Sequence, residues 1–220
     1  MGGKGNAGIE AIGALADGVR RALYDIVVDA DHPVGRDEAA EAVGVARQTA
    51  AYHLDRLADE GLLDVSYERL SGRSGPGAGR PAKLYQRSDA EHDVTLPPRR
   101  YLLAARILLE AVAGEGGGER AGGDDEELDR LAGAARRTGQ GLAKGGLDEA
   151  LRANGYEPVE RAGELRFRNC PFHALVAEDR RTTCALNHAL VEGMIAGSGD
   201  DRSAVLEPEE GYCCVRIRSG

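Results

Sequence analysis

The sequence predicts an α+β protein of three consecutive segments, residues 9–90, 97–145 and 147–220. Two observations predict this class. Apolar residues recur at three- and four-residue spacing over much of the first 112 positions, which is typical of amphipathic helices. Short runs typical of strands, separated by turn residues, occur after position 61 and again from position 156 onward. We therefore expect helices and one hairpin, then a helical segment, then a small α+β domain.

The first segment contains three predicted helices followed by a hairpin. An apolar stripe from Ile12 to Val27 predicts one helix, which ends at His32-Pro33 because proline disfavours helical geometry in the residue before it. A short helix over Arg36–Ala42 should close at Gly44, and a third helix should span Ala46–Glu60. Strands follow at 62–67 and 83–86, on either side of a turn-rich stretch. This order of helices and hairpin is that of a winged helix.

The third predicted helix carries residues suited to reading DNA. Its inward stripe is Ala50, Leu54 and Leu57, which leaves a polar face near its N-terminus. Arginine can bind two acceptors on guanine, and glutamine can pair with adenine. The net charge of −9 argues against non-specific affinity for nucleic acid, but the stretch from Arg69 to Arg87 is basic and free of acids. The alternative is a solvated charged face. The candidate DNA contacts are Arg47, Gln48, Thr49, Tyr52 and His53 on the helix and Arg73, Arg80 and Lys83 in the hairpin, with Asp55 also outward.

One string in this segment carries a family resemblance. Val45 to Leu63 reads V-A-R-Q-T-A-A-Y-H-L-D-R-L-A-D-E-G-L-L, and it resembles the recognition helix of ArsR-like winged-helix regulators. The resemblance covers roughly residues 10–88. Ala46 departs from the family pattern because it replaces a common serine N-cap, a loss worth about 1 kcal/mol. Ala51 replaces another common hydroxyl, so phosphate contacts there should be weaker.

The middle segment begins after Pro97-Pro98 with an apolar helix from Arg99 to Val112. Such a helix needs a cover, and either a homodimer partner or the protein's own C-terminal domain would supply it. A two-fold partner is natural because operators are commonly palindromic. The low-complexity stretch from Gly114 to Gly123 reads as a flexible connection, and a charged helix should follow over Asp124–Lys144.

All four cysteines lie in the last quarter of the chain, in a sequence otherwise typical of the cytoplasm. Residues 1–8 lack the apolar core that a signal peptide has. The sequence also lacks a run of about 18 apolar residues, which a membrane-spanning helix would need. In a reducing compartment, clustered cysteines favour a metal or redox site over a disulfide framework. We therefore expect a cytoplasmic protein with no membrane partner and a thiol site formed by Cys170, Cys184, Cys213 and Cys214.

The local sequence around each thiol gives further expectations. Cys184 should fall in the first turn of a helix capped by Thr182 or Thr183, where the helix dipole lowers a thiol pKa. Cys213 and Cys214 should begin a strand and point to opposite faces, so that only one enters the site fully. The candidate nitrogen ligands are His173 and His188.

The spacing of the cysteines limits what they hold. No C-x2-C pair of a structural zinc site is present. Thiolates from scattered loops suit an iron–sulfur cluster. A thiol-only redox switch and four inert buried cysteines stay open as alternatives. An enzyme with Cys184 as nucleophile and His173 or His188 as base lacks a recognisable orienting carboxylate or oxyanion motif, so we expect no enzyme.

Three cysteine motifs resemble the C-terminal half of SufR-type regulators. They are N-C-P-F-H from Asn169, C-A-L-N-H-A-L-V-E-G from Cys184, and L-E-P-E-E-G-Y-C-C-V from Leu206. The resemblance extends over nearly the whole chain. It implies a homodimeric repressor of iron–sulfur assembly genes that binds a double-stranded DNA operator according to the state of a 4Fe–4S or 2Fe–2S cluster. By motif, Cys170 and Cys184 are ligands, the third is Cys213 or Cys214, and the fourth is open.

Overall fold

The computed structural model describes residues 4–68, 81–113 and 123–219. The chain divides into two compact units, Met1–Val94 and Thr95–Gly220. Each unit combines helices with one small antiparallel sheet, which confirms the predicted α+β class. Within the described ranges, every helix is too short or too polar to cross a lipid bilayer.

The first unit places four helices around a three-stranded sheet. The sheet has the order β1-β3-β2, and both pairings are antiparallel. Its elements are α1 (Lys4–Ala14), α2 (Gly18–Asp29), β1 (Val34–Gly35), α3 (Arg36–Val43), α4 (Arg47–Asp59), β2 (Leu63–Glu68) and β3 (Ala82–Arg87).

The predicted helix through Ile12 and Val27 is wrong, because the chain forms two helices there. The Asp17 carboxylate accepts a hydrogen bond of 2.9 Å from the backbone N–H of Arg20 and caps the start of α2. An aspartate at this position satisfies free N–H groups at a helix start, so it favours a break over continuation. The apolar stripe spans both helices, which is why it conceals the break.

The other helices of the first unit agree with the predictions. Helix α3 ends at Gly44, whose φ of 74° lies in the left-handed region. Helix α4 buries Ala50, Leu54 and Leu57 as expected, and they join Leu23 of α2 in the core of this unit. Strand β1 was not predicted. It has only two residues, and it forms because Val34 pairs with Tyr85 of β3.

The second unit contains a four-stranded antiparallel sheet. The strand order is β4-β5-β7-β6. Its elements are α5 (Tyr101–Ala113), α6 (Asp124–Leu142), α7 (Leu147–Ala153), β4 (Pro158–Arg161), β5 (Glu164–Phe167), α8 (His173–Glu178), α9 (Arg180–Ser198), β6 (Ser203–Leu206) and β7 (Val215–Arg218). Helix α9 packs against the sheet, and α6 packs on α9.

Helices α6 and α9 lie in direct backbone contact at the centre of this unit. A Cβ atom on Gly193 would stand 2.2 Å from the carbonyl oxygen of Arg136, and one on Gly139 would stand 2.2 Å from that of Leu190. Only glycine permits such an approach. Helix α9 thereby becomes a buried central helix, and it carries Cys184.

Residues 97–145, predicted to form a separate linker and dimerisation region, share one core with the cysteine-bearing residues. Ala104 and Ile107 of α5 and Leu131 of α6 belong to the same buried cluster as Phe167 and Leu190. The outer face of α5 remains open: Leu109 is 68% exposed. The cover of the inner face is therefore the protein's own C-terminal region.

Candidate functional site

All four cysteines line a single cavity of about 320 Å³ in the second unit. Three chain segments bring them there. Cys170 lies in the loop after β5, Cys184 lies on α9, and Cys213 and Cys214 lie in the loop before β7. All four are free thiols. Thiols that are distant in sequence therefore meet in one place.

The expectation that Cys213 and Cys214 point to opposite faces is wrong, since both line the cavity. Strand β7 begins only at Val215, so strand alternation does not apply to the two cysteines. The backbone N–H of Cys213 donates a hydrogen bond of 2.8 Å to the Phe167 carbonyl. This bond ties the loop to the end of β5, close to Cys170.

The thiols interact in two pairs. Cys213 donates a hydrogen bond to Cys170, and this bond lowers the pKa of Cys170 to about 7, with help from the backbone N–H of Phe172 and the charge of Arg99. The pKa of Cys213 is correspondingly raised well above its ordinary value, first by this bond to Cys170 and then by burial. In the protein without metal, Cys170 is thus more easily ionised than Cys213.

The second pair is Cys184 with Cys214. Burial and the hydrogen bond to Cys214 raise the pKa of Cys184 to about 12. The predicted lowering of this pKa is wrong. Helix α9 begins at Arg180 rather than at Thr183, because Asp179 caps it by accepting from the Thr182 N–H at 3.1 Å. Cys184 consequently lies in the second turn, where burial outweighs the helix dipole.

A buried amide, which sequence reasoning missed, faces the first thiol pair. The Nδ2 atom of Asn187 lies 3.1 Å from the Cys213 sulfur and 4.0 Å from the Cys170 sulfur. Its Oδ1 atom accepts a hydrogen bond of 2.5 Å from the Tyr156 hydroxyl. The signal that could have found Asn187 is its position three residues after Cys184 on the same helix.

The loop that carries Cys170 is bound to the residues just before α5. Arg99 Nη1 donates to the Cys170 carbonyl at 2.7 Å and to Asn169 Oδ1 at 2.6 Å. Asn169 Nδ2 in turn donates to the Pro98 carbonyl at 2.8 Å, and the backbone N–H of Arg100 donates to the Pro171 carbonyl at 3.0 Å. The cysteine loop and the start of α5 therefore hold each other in place.

The two histidines proposed as nitrogen ligands behave differently. His173 lines the cysteine cavity. His188 does not line it: its Nε2 lies 3.1 Å from the Ala204 carbonyl, and its Nδ1 lies 3.7 Å from a Glu192 carboxylate oxygen. His188 lies on the same face of α9 as Cys184, but these contacts hold its ring away from the cavity. Among the described residues, no three His, Cys, Asp or Glu side chains are arranged around a single metal ion.

The candidate DNA contacts of α4 form an exposed surface. Arg47, Gln48, Thr49 and Tyr52 are exposed, and Tyr52 is 64% exposed. Arg47 forms an ion pair with Asp37 of α3. His53 is half-buried, and its Nδ1 accepts a hydrogen bond of 3.3 Å from Arg20. Arg73 and Arg80 lie outside the described residues.

Asp55, which was expected to face outward, binds three other side chains. Arg36 donates to both of its oxygens at 2.9 and 2.8 Å, and Tyr85 donates at 2.6 Å. Lys83 forms an ion pair with the same carboxylate. Lys83 is therefore held within the first unit by Asp55, whereas the other candidate contacts Arg47, Gln48, Thr49 and Tyr52 of α4 face solvent.

Comparisons with known proteins do not place the chain in a family. A scan against models of protein families finds no match, and a search of curated proteins finds no significant match either. The geometry on its own defines two chemical capacities. Four thiols in one cavity can bind soft metals or be oxidised in pairs. An exposed helix face with arginine and glutamine can contact base edges.

Proposed function

We propose that the protein is a DNA-binding transcriptional regulator, acting as a repressor, whose cysteines ligate an iron–sulfur cluster that controls operator binding. The convergence of Cys170, Cys184, Cys213 and Cys214 on one cavity carries this proposal. The likeness of the cysteine motifs to SufR-type regulators adds to it and suggests iron–sulfur assembly genes as targets. The proposed role is regulatory and not enzymatic.

The donor set fits an iron–sulfur cluster in kind. Thiolates are the ligands such clusters use, and they are distributed over the two or four iron atoms of the cluster. Donors for a cluster therefore need not surround one point, which agrees with the lack of a single-ion arrangement among the described residues. Cys170, Cys184 and one or both of Cys213 and Cys214 would hold the group. When bound, it would supply a redox- and oxygen-sensitive link between these segments.

The state of the thiols supports the same assignment. Cys170, with a pKa of about 7, is partly ionised at neutral pH. Burial and the hydrogen bond to Cys214 raise the pKa of Cys184 to about 12 in the protein without metal. A coordinated metal ionises a thiol outright, so the buried thiols would ionise only with metal present.

The first unit is proposed to be a winged helix. Helices α2, α3 and α4 are followed by the β2–β3 hairpin, and α4 would be the recognition helix. Its N-terminal turn presents Arg47 and Gln48, which are the residue types that read guanine and adenine. The partner would be a double-stranded DNA operator.

The second copy of a homodimer would cover the outer face of α5. Leu102, Ala105, Leu109 and Val112 are all exposed, and their spacing of three and four residues is that of a coiled-coil seam. A two-fold axis through this seam would present two recognition helices to a palindromic operator. Coupling between cluster and DNA would run through Arg99, because it joins the Cys170 loop to the start of this helix.

A cluster-free thiol switch is the second candidate, and the paired thiols favour it. Cys170 and Cys213 are already hydrogen-bonded, as are Cys184 and Cys214. Each pair could form a disulfide by passing two electrons and two protons to a peroxide. A small-molecule sensor in the same cavity would need neither the paired thiols nor disulfide formation.

The visible absorption spectrum of protein purified without oxygen, with its iron and sulfide content, separates these candidates. We expect a brown protein with iron and sulfide, and loss of both in Cys184→Ser with the fold retained. Ala185→Ser, one residue further along α9 and outside the cavity, is the matched control. A colourless wild-type protein after reconstitution refutes the cluster, and reversible peroxide-induced disulfides would then support the thiol switch.

DNA binding is tested with duplexes selected from random sequence. Arg47→Ala should weaken specific binding by about 1–3 kcal/mol and relax the sequence preference. Arg56→Ala removes the same charge from the far end of α4, where Arg56 pairs with Glu60, and it should have little effect. Equal losses in both variants would contradict the assignment of α4 as the recognition helix.

A further inference from the structure

We infer that Asn187 is a positioning residue for the cysteine site, and that its side-chain amide raises the reduction potential of the bound cluster by donating a hydrogen bond to the Cys213 sulfur. This inference rests on the proposed function, since it assumes that the cysteines hold a cluster. It assigns a role to a residue that is not itself a ligand.

Asn187 is buried at the cysteine cavity, where its side-chain amide is placed to donate to a thiol. The side chain is 1% exposed, on the buried face of α9, and it lines the cysteine cavity. A buried amide that lacked a partner would cost about 1–3 kcal/mol. Its Nδ2 atom instead lies 3.1 Å from the Cys213 sulfur, which is short for a bond to sulfur.

Tyr156 fixes which end of the amide faces the thiols. Its hydroxyl donates to Asn187 Oδ1 at 2.5 Å, so the NH2 group must point the other way, toward Cys213 and Cys170. Tyr156 is 2% exposed, and its ring lies 5.0 Å from that of Phe167. The orientation of the amide is therefore set before any metal binds.

Two other hydrogen-bond donors near the cysteines, Thr183 and Arg99, do not take this role. Thr183 also lines the cavity, but its hydroxyl donates to the Leu175 carbonyl at 3.1 Å. Arg99 contributes its charge near Cys170 but donates to backbone and amide oxygens. Among the described side chains, Asn187 directs an N–H group at the sulfurs of Cys213 and Cys170.

A hydrogen bond from Asn187 to the Cys213 sulfur would change the reduction potential of the bound cluster. Reduction adds negative charge that spreads onto the ligating sulfurs, and a hydrogen bond to sulfur stabilises that charge. The amide therefore favours the reduced state. Loss of the N–H donor should make reduction harder and lower the reduction potential.

The experiment measures the midpoint potential of the cluster-loaded protein by spectroelectrochemistry. Asn187→Leu keeps similar volume without the donor, and it should reduce the equilibrium constant for reduction about tenfold, which is about 59 mV for one electron. Tyr156→Phe should shift the potential in the same direction by less, because the amide remains but loses its orientation. Thr183→Val, on the same helix and in the same cavity, should leave the potential unchanged.

A second readout uses the protein without cluster. The side-chain NH2 signals of Asn187 in the NMR spectrum should move on Cys213→Ala and stay in place on Cys214→Ala. A loaded wild type whose potential equals that of Asn187→Leu and Tyr156→Phe overturns the inference and leaves the proposed function standing. A wild type that holds no cluster overturns the proposed function and this inference with it.

Discussion

The guanidinium of Arg99 donates a hydrogen bond of 2.7 Å to the carbonyl oxygen of Cys170, which joins the cysteine loop to the residues that precede α5. The same Nη1 atom bonds to Asn169, whose amide holds the Pro98 carbonyl. A change in the position of Cys170 must therefore displace either Arg99 or its bonds. Allosteric couplings are typically worth 1–3 kcal/mol, which a few such hydrogen bonds can supply.

Replacing Arg99 with methionine should separate the cluster from DNA binding. We expect Arg99→Met to keep its iron content and to lose most of the difference in operator affinity between loaded and cluster-free protein. Arg100→Met is the matched control, because the Arg100 guanidinium donates to the Ala153 carbonyl and not to the cysteine loop. Fluorescence anisotropy with labelled operator measures both variants. An undiminished difference in Arg99→Met would contradict this route of coupling.

Cys170 should be the first thiol of the cluster-free protein to react with iodoacetamide. Its pKa is lowered to about 7 by the hydrogen bond from Cys213, so its thiolate predominates above that pH. The rate should rise through pH 7 and level off, whereas Cys184, with a pKa of about 12, should stay slow up to pH 9. Mass spectrometry of peptides labelled between pH 6 and 9 measures the order.

The variant Cys213→Ala tests the cause of this reactivity. Without the donor, the pKa of Cys170 should rise, and its reaction at pH 7 should slow. Equal labelling of Cys170 and Cys184 in the wild type would show that the thiol pairs differ from those described.

Gly193→Ala should unfold the second unit more easily. The new methyl group would stand 2.2 Å from the Arg136 carbonyl oxygen, and backbone cannot move aside without separating α6 from α9. We expect the free energy of unfolding to fall by about 3 kcal/mol, at the upper end for overpacked cores. Urea denaturation followed by circular dichroism gives the value.

Gly141→Ala is the control for helix propensity. It lies in α6, and its Cβ would meet no atom within 4 Å. This change should be neutral or stabilising by up to about 1 kcal/mol. A similar loss in both variants would show that contact between the two helices does not explain the glycine at 193.

Asp55→Asn should weaken the first unit at neutral pH but not in acid. Burial alone would raise the pKa of Asp55, but hydrogen bonds from Lys83, Tyr85 and Arg36 outweigh it and lower the pKa. A lowered folded pKa stabilises the protein above the unfolded value of about 3.9 and loses that effect as the pH falls through the folded value.

We therefore expect Asp55→Asn to cost about 1–2 kcal/mol at pH 7, with the difference from wild type narrowing below pH 4. Urea denaturation at several pH values measures it. Asp59→Asn, an exposed carboxylate on the same helix, should show little effect at any pH. A constant penalty across the pH range would contradict the ionic origin of the stabilisation.

Helices could be predicted from the sequence where a nearby residue pattern marks their course and their ends. Helix α3 and its end at Gly44 follow from a short apolar period and a glycine suited to the left-handed region. Helix α4 follows from the spacing of Ala50, Leu54 and Leu57. The break at Asp17 was not predicted, because one apolar stripe continues across two helices and the cap is a single side-chain bond.

The candidate site was predictable in its residue types but not in its environment. The four thiols were identified from the sequence, yet the pKa of Cys184 was expected to be lowered and is raised. Its burial depends on where Asp179 starts α9 and on what surrounds the helix. His188 was a candidate ligand by spacing alone, and its bond to Ala204 depends on the approach of β6.

The sequence by itself determined most of the helices and strands, the polar face of α4, and the presence of four thiols without a C-x2-C pair. These depend on neighbours within about one or two helical turns, where backbone geometry is known in advance. Only the tertiary structure decided that the thiols share one cavity, that α5 packs on its own domain, and that Tyr156 orients Asn187 toward Cys213. The contacts of Asn187 with Tyr156, Cys213 and Cys170 join residues 31, 26 and 17 positions apart. They depend on how α6, α9 and the sheet pack, which no local pattern encodes.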